Sequence, residues 1–564
     1  MITVAFPVPS AITIRVATTS TSTVTWTATF CSTMRAMIAA ATSDLAGRAI
    51  EAARRIVGDD EDAHQVIVEK VAYAATEARV IAELAKQPDI AGARVAIAEL
   101  AASLRNRLEP IAPLLGLDLA YPAAASAAIA ADLAPAVVEA LGAHAIATAG
   151  RLAFPEDETL SEIRASVRTF AEREVVPHAA RIHHHDELVP ERLIEQMGAL
   201  GYFGLAIPER YGGNALGNLA MIITTEELAR GSLAAAGSLI TRPEILAKAL
   251  LAGGTEEQKQ TWLPRLASGA VMAAISVTEP DAGSDVASLA CRAERATVDG
   301  RSGYAITGAK AWCTFAGRAD VIALLARTGT PADGARGLTL FVVDKPRFLG
   351  HEFETAQPHG GTLVGRADRT PGYRGMHSFG LAFDRWFVPD AQVVGGDAGI
   401  GRGFALQMAG FAAGRLQTGG RACGVLQAAL EHTSTYVASR RQFGRAIGEF
   451  GLTRYHLGRM AARLTAARAI TYAAATAMDA AEHREASGGS DERAASGVAA
   501  MAKLFACDVA VEVTQLGQVL HGGWGYAEEY PISRLVADAQ VLPIFEGVRP
   551  ILALKVIGRA LLKS

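Results

Sequence analysis

Cysteine is scarce in this sequence. Its 564 residues include only five cysteines, and no two of them form a C-x-x-C pair. An odd number of widely separated thiols argues against a disulfide framework, and the missing pairs argue against a zinc ribbon or a cysteine-held cluster. A reducing, cytoplasmic location is therefore expected. The cysteines are Cys31, Cys291, Cys313, Cys423 and Cys507.

An excess of positive charge is also missing. Lys and Arg number 54 against 58 Asp and Glu, which gives a formal net charge of −4. Duplex binding usually needs a bulk positive field, so nucleic acid is not an expected partner. The longest uncharged segment near the start, 16–34, is mostly Thr and Ser, which are too polar for hydrocarbon. A membrane partner is therefore not expected either.

The first 36 residues differ in composition from the rest of the chain. Before Met34 the only charged residue is Arg15, so a basic segment followed by an apolar block, as in a secretory signal, is missing. We interpret residues 1–36 as a flexible leader, or as upstream sequence read through to a later start at Met34 or Met37. Alternating apolar residues over 24–30 weakly predict a strand there.

Length and apolar content indicate several folded domains. A chain of 564 residues with 50% apolar residues can bury two to four cores. Changes of pattern divide it into a helical extension (37–150), a second helical domain (151–270), a middle β-domain (271–394) and a C-terminal helical domain (395–564). The extension is rich in Ala, Glu, Arg and Leu and is expected to form about four helices. The acidic linker after it predicts a helix cap.

Apolar periodicity predicts the individual elements. Short apolar runs bounded by Gly, Asp and Pro predict strands at Ala273–Val277, Tyr304–Ile306, Val321–Leu325, Leu338–Val343 and Phe379–Phe383. Helical spacing predicts helices at Asn218–Arg230, Pro243–Ala252, Glu256–Leu266, Gly403–Arg441, Arg454–Glu482 and Glu492–Leu520. This order of helices, strands and long helices indicates a multidomain α+β protein.

Three motifs carry little functional information. Gly303–Lys310 resembles a phosphate loop, but Ala309 precedes the lysine and no Ser or Thr follows it. The spaced glycines of 399–403 are interpreted as a turn. His183–Asp186 could suggest a metal ligand set, but consecutive residues on a loop rarely converge on one ion. We interpret that run as a solvated turn and expect no metal site.

Five later motifs are more informative as a set. Two of them end predicted strands, where backbone N–H groups and hydroxyls suit a planar polar heterocycle that Trp312 could cover. The glycines of Gln518–Gly525 permit close backbone approach to a pyrophosphate. Glu546, within Phe545–Gly547, stands alone among apolar residues, which is typical of a general base working near neutral pH. The motifs are Ser276–Asp285, Gly308–Thr314, Arg440–Gly444, Gln518–Gly525 and Phe545–Gly547.

Together, these motifs resemble the acyl-CoA dehydrogenase superfamily, in the family's order and over about Leu160–Leu562. The resemblance implies a helical domain, a middle β-domain and a C-terminal four-helix bundle that binds FAD, to which this chain adds its N-terminal helical extension. It also implies removal of the α-proton of an acyl-CoA thioester by a carboxylate, while the β-hydrogen leaves as hydride to flavin N5.

The resemblance implies a role for each matching residue. Glu546 matches the catalytic base, and Ser284 matches a contact to the CoA arm. Residues matching contacts to the flavin ring are Val277, Thr278, Trp312 and Thr314. Residues matching contacts to the adenine and pyrophosphate of FAD, some of them given by a neighbouring subunit, are Arg440, Phe443, Gln518, Gly522 and Gly523.

The sequence departs from the family at three positions. The family usually follows Glu-Gly with Thr and, two residues on, Gln, whereas this chain has Val548 and Pro550, which puts adenosine-side hydrogen bonds in doubt. Some relatives carry the base just before the arginine that matches Arg415. The segment 411–414 contains no acid, so Glu546 has no rival there, and the usual acid that contacts CoA is Ala412.

The extension, with the segments 238–245 and 410–418, resembles a branch of the family that acts on a short branched dicarboxylic acyl-CoA. The expected reaction is oxidation of (2S)-methylsuccinyl-CoA to mesaconyl-CoA in the ethylmalonyl-CoA pathway. A second carboxylate in an apolar pocket needs a fixed cation, for which Arg242 is the candidate and Arg415 and Arg549 are competitors. In the alternative interpretation, Arg242 is a surface residue that pairs with Glu244.

Other functions stay open at this point. One alternative is a dehydrogenase or oxidase for another short branched or aryl acyl-CoA. Another is a DNA-binding flavoprotein of the same fold. The segment Glu482–Arg493 argues against DNA binding, because it contains four acids and only two arginines. The resemblance implies electron-transfer flavoprotein as electron acceptor and a homodimer or dimer of dimers.

Overall fold

The computed structural model describes residues 13–14, 24–25, 28–485 and 492–563, with side chains described over 32–484 and 493–563. Most of the leader predicted over 1–36, and the centre of the acidic segment 482–493, therefore lie outside the described residues. The strand predicted over 24–30 is limited to Val24–Thr25 (β2), which pairs with Thr13–Ile14 (β1). A helix already begins at Ala28, so residues 28–36 are helical.

The chain divides into two compact units. Unit 1 comprises Met1–Pro155, Ser434–Ile470 and Ala553–Ser564. Unit 2 comprises Glu156–Thr433 and Thr471–Leu552. The boundary at Pro155 coincides with the predicted linker, where the side chain of Asp157 accepts a hydrogen bond from the backbone of Leu160 and caps the next helix.

Unit 1 contains the N-terminal extension, which forms more helices than the four predicted. Proline starts several of them, because its fixed φ suits the first turn and its missing N–H costs nothing there. The helices are α1 (Ala28–Val57), α2 (Gln65–Lys86), α3 (Ala93–Leu108), α4 (Ala112–Leu115), α5 (Ala123–Asp132) and α6 (Pro135–Ala147). Their buried residues include Leu45, Ile81, Leu84, Ile97 and Leu104.

The extension packs against the segment 434–470 of the same unit. The hydroxyl of Thr465 donates to the carbonyl of Ala91 at 2.9 Å, and the guanidinium of Arg468 donates to the carbonyl of Leu152 at 2.8 Å. A Cβ on Gly142 would lie 1.8 Å from the carbonyl oxygen of Arg454. The extension is therefore not a separate helical module, because part of the C-terminal region completes its packing.

Unit 2 begins with six helices, of which the apolar periodicity predicted the last three closely. Thr255 and Gln258 form a capping box that starts α12. The helices are α7 (Glu158–Phe170), α8 (Val176–His185), α9 (Glu191–Ala199), α10 (Gly217–Gly231), α11 (Thr241–Gly253) and α12 (Glu256–Ala267). His183–His185 form the last turn of α8, so the prediction that they lie on a loop is wrong. Pro177 in the first turn and the left-handed Asp186 at the end delimit that helix.

An eight-stranded mixed sheet forms the middle of unit 2. Its order is β3-β6-β4-β5-β10-β9-β8, with β7 paired to β6, and β3 runs parallel to β6. The five predicted strands are confirmed, although β5 and β10 are much longer than expected. The strands are β3 (Ala273–Ser276), β4 (Arg292–Val298), β5 (Arg301–Thr314), β6 (Val321–Arg327), β7 (Leu338–Asp344), β8 (Glu352–Ala356), β9 (Thr362–Ala367) and β10 (Ser378–Pro389).

Long helices follow the sheet, as predicted. They are α13 (Gly403–Ser439), α14 (Gly451–Glu485) and α15 (Glu492–His521), followed by α16 (Pro531–Ala539), α17 (Arg549–Ile551) and α18 (Arg559–Lys563). A short ribbon of β11 (Arg441–Gln442) and β12 (Arg445–Ala446) lies between α13 and α14.

Among the described residues, Arg493–Tyr526 is one helical segment long and apolar enough to cross a membrane, and α5 with α6 passes the same test only as a pair bent by 45°. In the first of these, 61% of the most apolar window is buried within the protein, as in the core helices of soluble proteins.

Candidate active site

Glu546 lies in the turn between α16 and α17. Its backbone φ is +55° and that of Gly547 is +104°, so two consecutive residues adopt the left-handed region. A non-glycine residue rarely does so, and such strain is typical of functional sites. The turn directs the Glu546 side chain inward, where only 7% of it is exposed.

Arg242, near the start of α11, contacts this carboxylate directly. Its Nη2 lies 3.0 Å from Oε1 of Glu546, and only 5% of the arginine side chain is exposed. The alternative in which Arg242 is a surface residue paired with Glu244 is therefore wrong. Glu244 is itself buried and accepts a hydrogen bond from Gln417 instead.

The helix α13 approaches Glu546 at a residue without a side chain. A Cβ on Gly414 would lie 2.8 Å from Oε2 of Glu546 and 3.1 Å from Cδ1 of Ile245. Contacts between a real Cβ and another heavy atom are essentially never that short, so a glycine is needed at 414 while Glu546 keeps this position.

Three further cations, Arg415, Arg421 and Lys503, lie near Glu546 or near the turn that carries it. The guanidinium of Arg421 lies 4.6 Å from the ring centroid of Phe545, and Nζ of Lys503 donates to the carbonyl of Gly547 at 2.6 Å. Burial lowers the pKa of Arg415, Arg421 and Lys503, and the negative charge of Glu546 acts in the opposite direction on all three. The Nε atoms of Arg242 and Arg415 are buried and, within the described part of the chain, have no hydrogen-bond partner.

The nearby acid Glu244 offsets only part of this charge. It is fully buried, and its burial raises the pKa of its carboxyl to about 7. At neutral pH a large fraction of Glu244 is therefore uncharged. Arg242, Arg421 and Lys503 are buried and Arg415 is partly buried, so the cations near Glu546 outnumber the acids, and a bound anion would compensate for the difference.

The residues predicted to contact a flavin ring lie at one edge of the sheet. Val277 and Thr278 follow β3 directly, and the backbone N–H of Ala311 donates to the carbonyl of Thr278 at 2.8 Å. Trp312 on β5 is 59% exposed with a φ of +58°, so the strand presents its ring outward. The hydroxyl of Thr314 lies 3.0 Å from that of Ser378. Ser284 is exposed in the turn that follows Thr278.

A buried ion pair fixes this edge. Nζ of Lys310 lies 2.8 Å from the Glu279 carboxylate and 2.9 Å from the carbonyl oxygen of Val277. The same carboxylate accepts hydrogen bonds from the backbone N–H groups of Ala290 and Cys291.

The residues predicted for the adenine and pyrophosphate are divided between the two units. In unit 1, Arg440 precedes the β11–β12 ribbon, and Phe443 at its tip is 92% exposed with a φ of +52°. In unit 2, Gln518 donates to the carbonyl of Gly525 at 3.0 Å. A Cβ on Gly522 or Gly523 would meet nothing within 4 Å, so these exposed backbones have room for a phosphate group.

These positions fit FAD in each unit taken by itself. The exposed Trp312, close to the end of β3, suits the face of an isoalloxazine ring, and the open glycines of 522–523 suit the pyrophosphate of FAD.

The sequence argument missed Arg421, Lys503 and the Lys310–Glu279 pair. The available signal was charge inside apolar helical runs: Arg421 follows two glycines and precedes Ala-Cys, and Lys503 stands in Ala-Ala-Met-Ala-Lys-Leu-Phe. Arg549, predicted as a competitor of Arg242, has an exposed side chain that pairs with Asp508.

Comparison with known proteins gives consistent matches. Profiles of the acyl-CoA dehydrogenase N-terminal, middle and C-terminal domains match residues 157–270, 274–386 and 401–562. The chain is 39% identical over 453 residues to (2S)-methylsuccinyl-CoA dehydrogenase of Cereibacter sphaeroides, covering 79% of this chain and 78% of that protein. It is 36% identical to a mitochondrial 2-methylacyl-CoA dehydrogenase of Solanum tuberosum, covering 72% and 91%. The structure of a glutaryl-coenzyme A dehydrogenase glutaryl-CoA complex matches with a TM-score of 0.62 and 30% identity, covering 71% of this chain and 94% of that one.

Proposed function

Because the chain belongs to the acyl-CoA dehydrogenase family, whose members are FAD-dependent oxidoreductases acting on the CH–CH group of acyl-CoA, we propose that it oxidises (2S)-methylsuccinyl-CoA to mesaconyl-CoA. One relative, at 39% identity, carries the name of this activity. The observation that supports a dicarboxylic substrate is the surplus of buried cations around Glu546.

Glu546 is the base in this proposal. The α-proton of a thioester is weakly acidic, so its removal needs a carboxylate held where water is excluded. The side chain of Glu546 is almost fully buried, and Arg242 and the bare backbone of Gly414 fix its position. When bound, FAD supplies the oxidant that takes the β-hydrogen as hydride.

Arg242 and Arg415 recognise the second carboxylate. Each has a buried Nε without a partner among the described residues, and each guanidinium is within electrostatic reach of Glu546 or bonded to it. A carboxylate entering this site would meet donors that otherwise stay unpaired, and guanidinium groups pair with carboxylates in a bidentate geometry. Lys503 and Arg421 keep the local charge positive when both carboxylates are present.

Anaerobic titration of the flavin-loaded protein with a panel of CoA esters tests the proposal. Methylsuccinyl-CoA is expected to bleach the flavin much faster than butyryl-CoA or 2-methylbutyryl-CoA. Equal bleaching by the monocarboxylic esters would contradict a dicarboxylic substrate. Bleaching by none of the esters, with flavin bound, would contradict dehydrogenase activity altogether.

A second candidate is a dehydrogenase for a branched monocarboxylic acyl-CoA. The 36% identity to a 2-methylacyl-CoA dehydrogenase favours it, and the same titration distinguishes it. The DNA-binding alternative has less support, because acids outnumber arginines in Glu482–Arg493. Salt-dependent binding to duplex DNA would be the result in its favour.

Electron-transfer flavoprotein is the proposed electron acceptor, with a homodimer or dimer of dimers as the assembly. The exposed ring of Phe443 at the tip of the β11–β12 ribbon supports this assembly, because exposed aromatic side chains are enriched at subunit interfaces. Flavin reoxidation by oxygen as fast as by electron-transfer flavoprotein would identify an oxidase instead.

A further inference from the structure

Three side chains of metal-ligand type that take no part in the proposed active site converge within unit 2. Asp186 ends α8, His351 directly precedes β8, and His377 directly precedes β10. Nε2 of His377 lies 3.0 Å from Nε2 of His351 and 3.0 Å from Oδ1 of Asp186. Nε2 of His351 lies 4.0 Å from Oδ2 of Asp186. The proposed dehydrogenase function uses none of these residues.

Hydrogen bonding alone satisfies this arrangement poorly. A neutral imidazole carries one ring proton, so Nε2 of His377 can donate to Asp186 or accept from His351, but not both. If it donates to the carboxylate, it has no lone pair left for Nε2 of His351. The two 3.0 Å contacts can then only share one proton, which leaves both weaker than a full hydrogen bond.

A single cation would satisfy all three side chains together. Ligand atoms bound 2.0–2.1 Å from a tetrahedral zinc ion are separated from one another by about 3.3 Å. The two Nε2 atoms are 3.0 Å apart, Oδ1 of Asp186 lies 3.0 Å from His377 and Oδ2 lies 4.0 Å from His351, so each separation is within about 0.7 Å of that spacing. Two imidazoles and one carboxylate form a borderline donor set that suits Zn²⁺ better than Mg²⁺ or Ca²⁺.

We propose that Asp186, His351 and His377 bind one divalent transition-metal ion, of which Zn²⁺ is the best fit. The side chain of His377 is 4% exposed and that of His351 is 48% exposed, so the site is anchored on one side and open to water on the other. A water molecule would complete the coordination.

Arg374 limits the affinity of this site. Its Nε lies 3.7 Å from Oδ1 of Asp186, and it also donates to the carbonyls of Thr370 and His183. This positive charge competes with a cation for the carboxylate. We therefore expect weaker binding than at a closed site with four protein ligands.

The metal would connect the end of α8 to the sheet beside the flavin-contact edge. The carbonyl of His377 accepts a hydrogen bond from the backbone N–H of Phe315 at 2.8 Å, and Phe315 follows Thr314. A metal ion that holds the His377 ring would also hold this backbone segment. We therefore expect the metal to have a structural role and to raise the free energy of unfolding.

The test uses the full-length protein without a histidine tag. Bound metal is first removed with a chelator, and the chelator is then removed from the protein. Zn²⁺ is titrated in competition with a chromophoric chelator, and Co²⁺ is added separately to record its visible absorption bands. The ligand variants are His351→Gln and His377→Gln. The controls are His184→Gln, in the neighbouring histidine run, and His359→Gln, whose ring lies 3.1 Å from Asp299 in another His–Asp pair.

One Zn²⁺ per chain is expected for the wild type and for both controls, with binding weakened roughly tenfold or more in both ligand variants. Zn²⁺ should also raise the melting temperature of the wild type but not that of His351→Gln, which, at an exposed position, is expected to fold. No stoichiometric binding by the wild type, or equal loss in His184→Gln, would overturn the proposal.

Discussion

Arg242 and Glu546 are 304 residues apart in sequence, yet Nη2 of the arginine lies 3.0 Å from Oε1 of the glutamate in a buried ion pair. This contact places the proposed substrate anchor beside the proposed base. A substrate that carries a second carboxylate would therefore be held close to the atom that removes its proton.

Replacing Glu546 with Gln should leave flavin bound and nearly abolish the chemical step. The amide keeps the size of the side chain but cannot accept the α-proton, and losing a positioned base typically costs about 10²–10⁴-fold in rate. Anaerobic flavin reduction in a single turnover measures this directly. Glu209→Gln, at an exposed position, is the control. A Glu546→Gln variant that keeps most of the rate would mean that another residue is the base.

Replacing Arg242 with Ala should raise KM for methylsuccinyl-CoA much more than for butyryl-CoA. Loss of a buried charge pair to the second carboxylate costs about 2 kcal/mol, which is about 30-fold in binding. Steady-state kinetics with both esters give the two ratios. Arg549→Ala is the matched control, because Arg549 is an exposed arginine paired with Asp508. Equal effects on both esters would remove Arg242 from substrate recognition.

Replacing Gly414 with Ala should lower kcat while flavin stays bound. The new Cβ would come within 2.8 Å of Oε2 of Glu546, so the carboxylate or α13 must shift. Displacing a catalytic group by about 1 Å can cost about 10²-fold. Gly497→Ala in α15, where a Cβ meets nothing within 4 Å, is the control and should keep its activity. Unchanged kcat in Gly414→Ala would show that Glu546 does not need this position.

Replacing Glu244 with Gln should flatten the dependence of stability on pH. Burial raises the pKa of Glu244 from 4.5 to about 7, so the folded protein retains this proton while the unfolded chain loses it. Its stabilising contribution is therefore complete below pH 4.5 and is lost as pH rises to about 7, by about 3 kcal/mol at 1.36 kcal/mol per pKa unit. Urea unfolding at pH 5 and pH 8 measures the difference. The same pH dependence in wild type and variant would contradict the shift.

Much of the fold could be predicted from the sequence, because the spacing of apolar residues indicates helices and buried strands. The long helices α13–α15 and the strands β3, β6 and β7 were predicted for this reason. The strands β4 and β8 were missed because each buries only one apolar residue, Ala293 in β4 and Phe353 in β8. Neither strand shows the apolar run that a fully buried strand shows.

The site was less predictable, because its contacts join distant parts of the chain. Local sequence suggested Glu244 as the partner of Arg242, two residues away, whereas the structure pairs it with Glu546. The convergence of Asp186 with His351 and His377 depends on the register of three separate elements. Spacing along the sequence carries no signal for such contacts.

The Lys310–Glu279 pair has a consequence for how this protein can change. Both residues lie outside the tip of the turn, 280–284. Lys310 donates to the carbonyl of Val277, and Glu279 accepts from the amides of Ala290 and Cys291. The shape of that turn therefore depends on its anchors more than on its own side chains. Substitutions at the tip should therefore leave the shape of the turn intact, whereas replacing the lysine or the glutamate alone should disturb it.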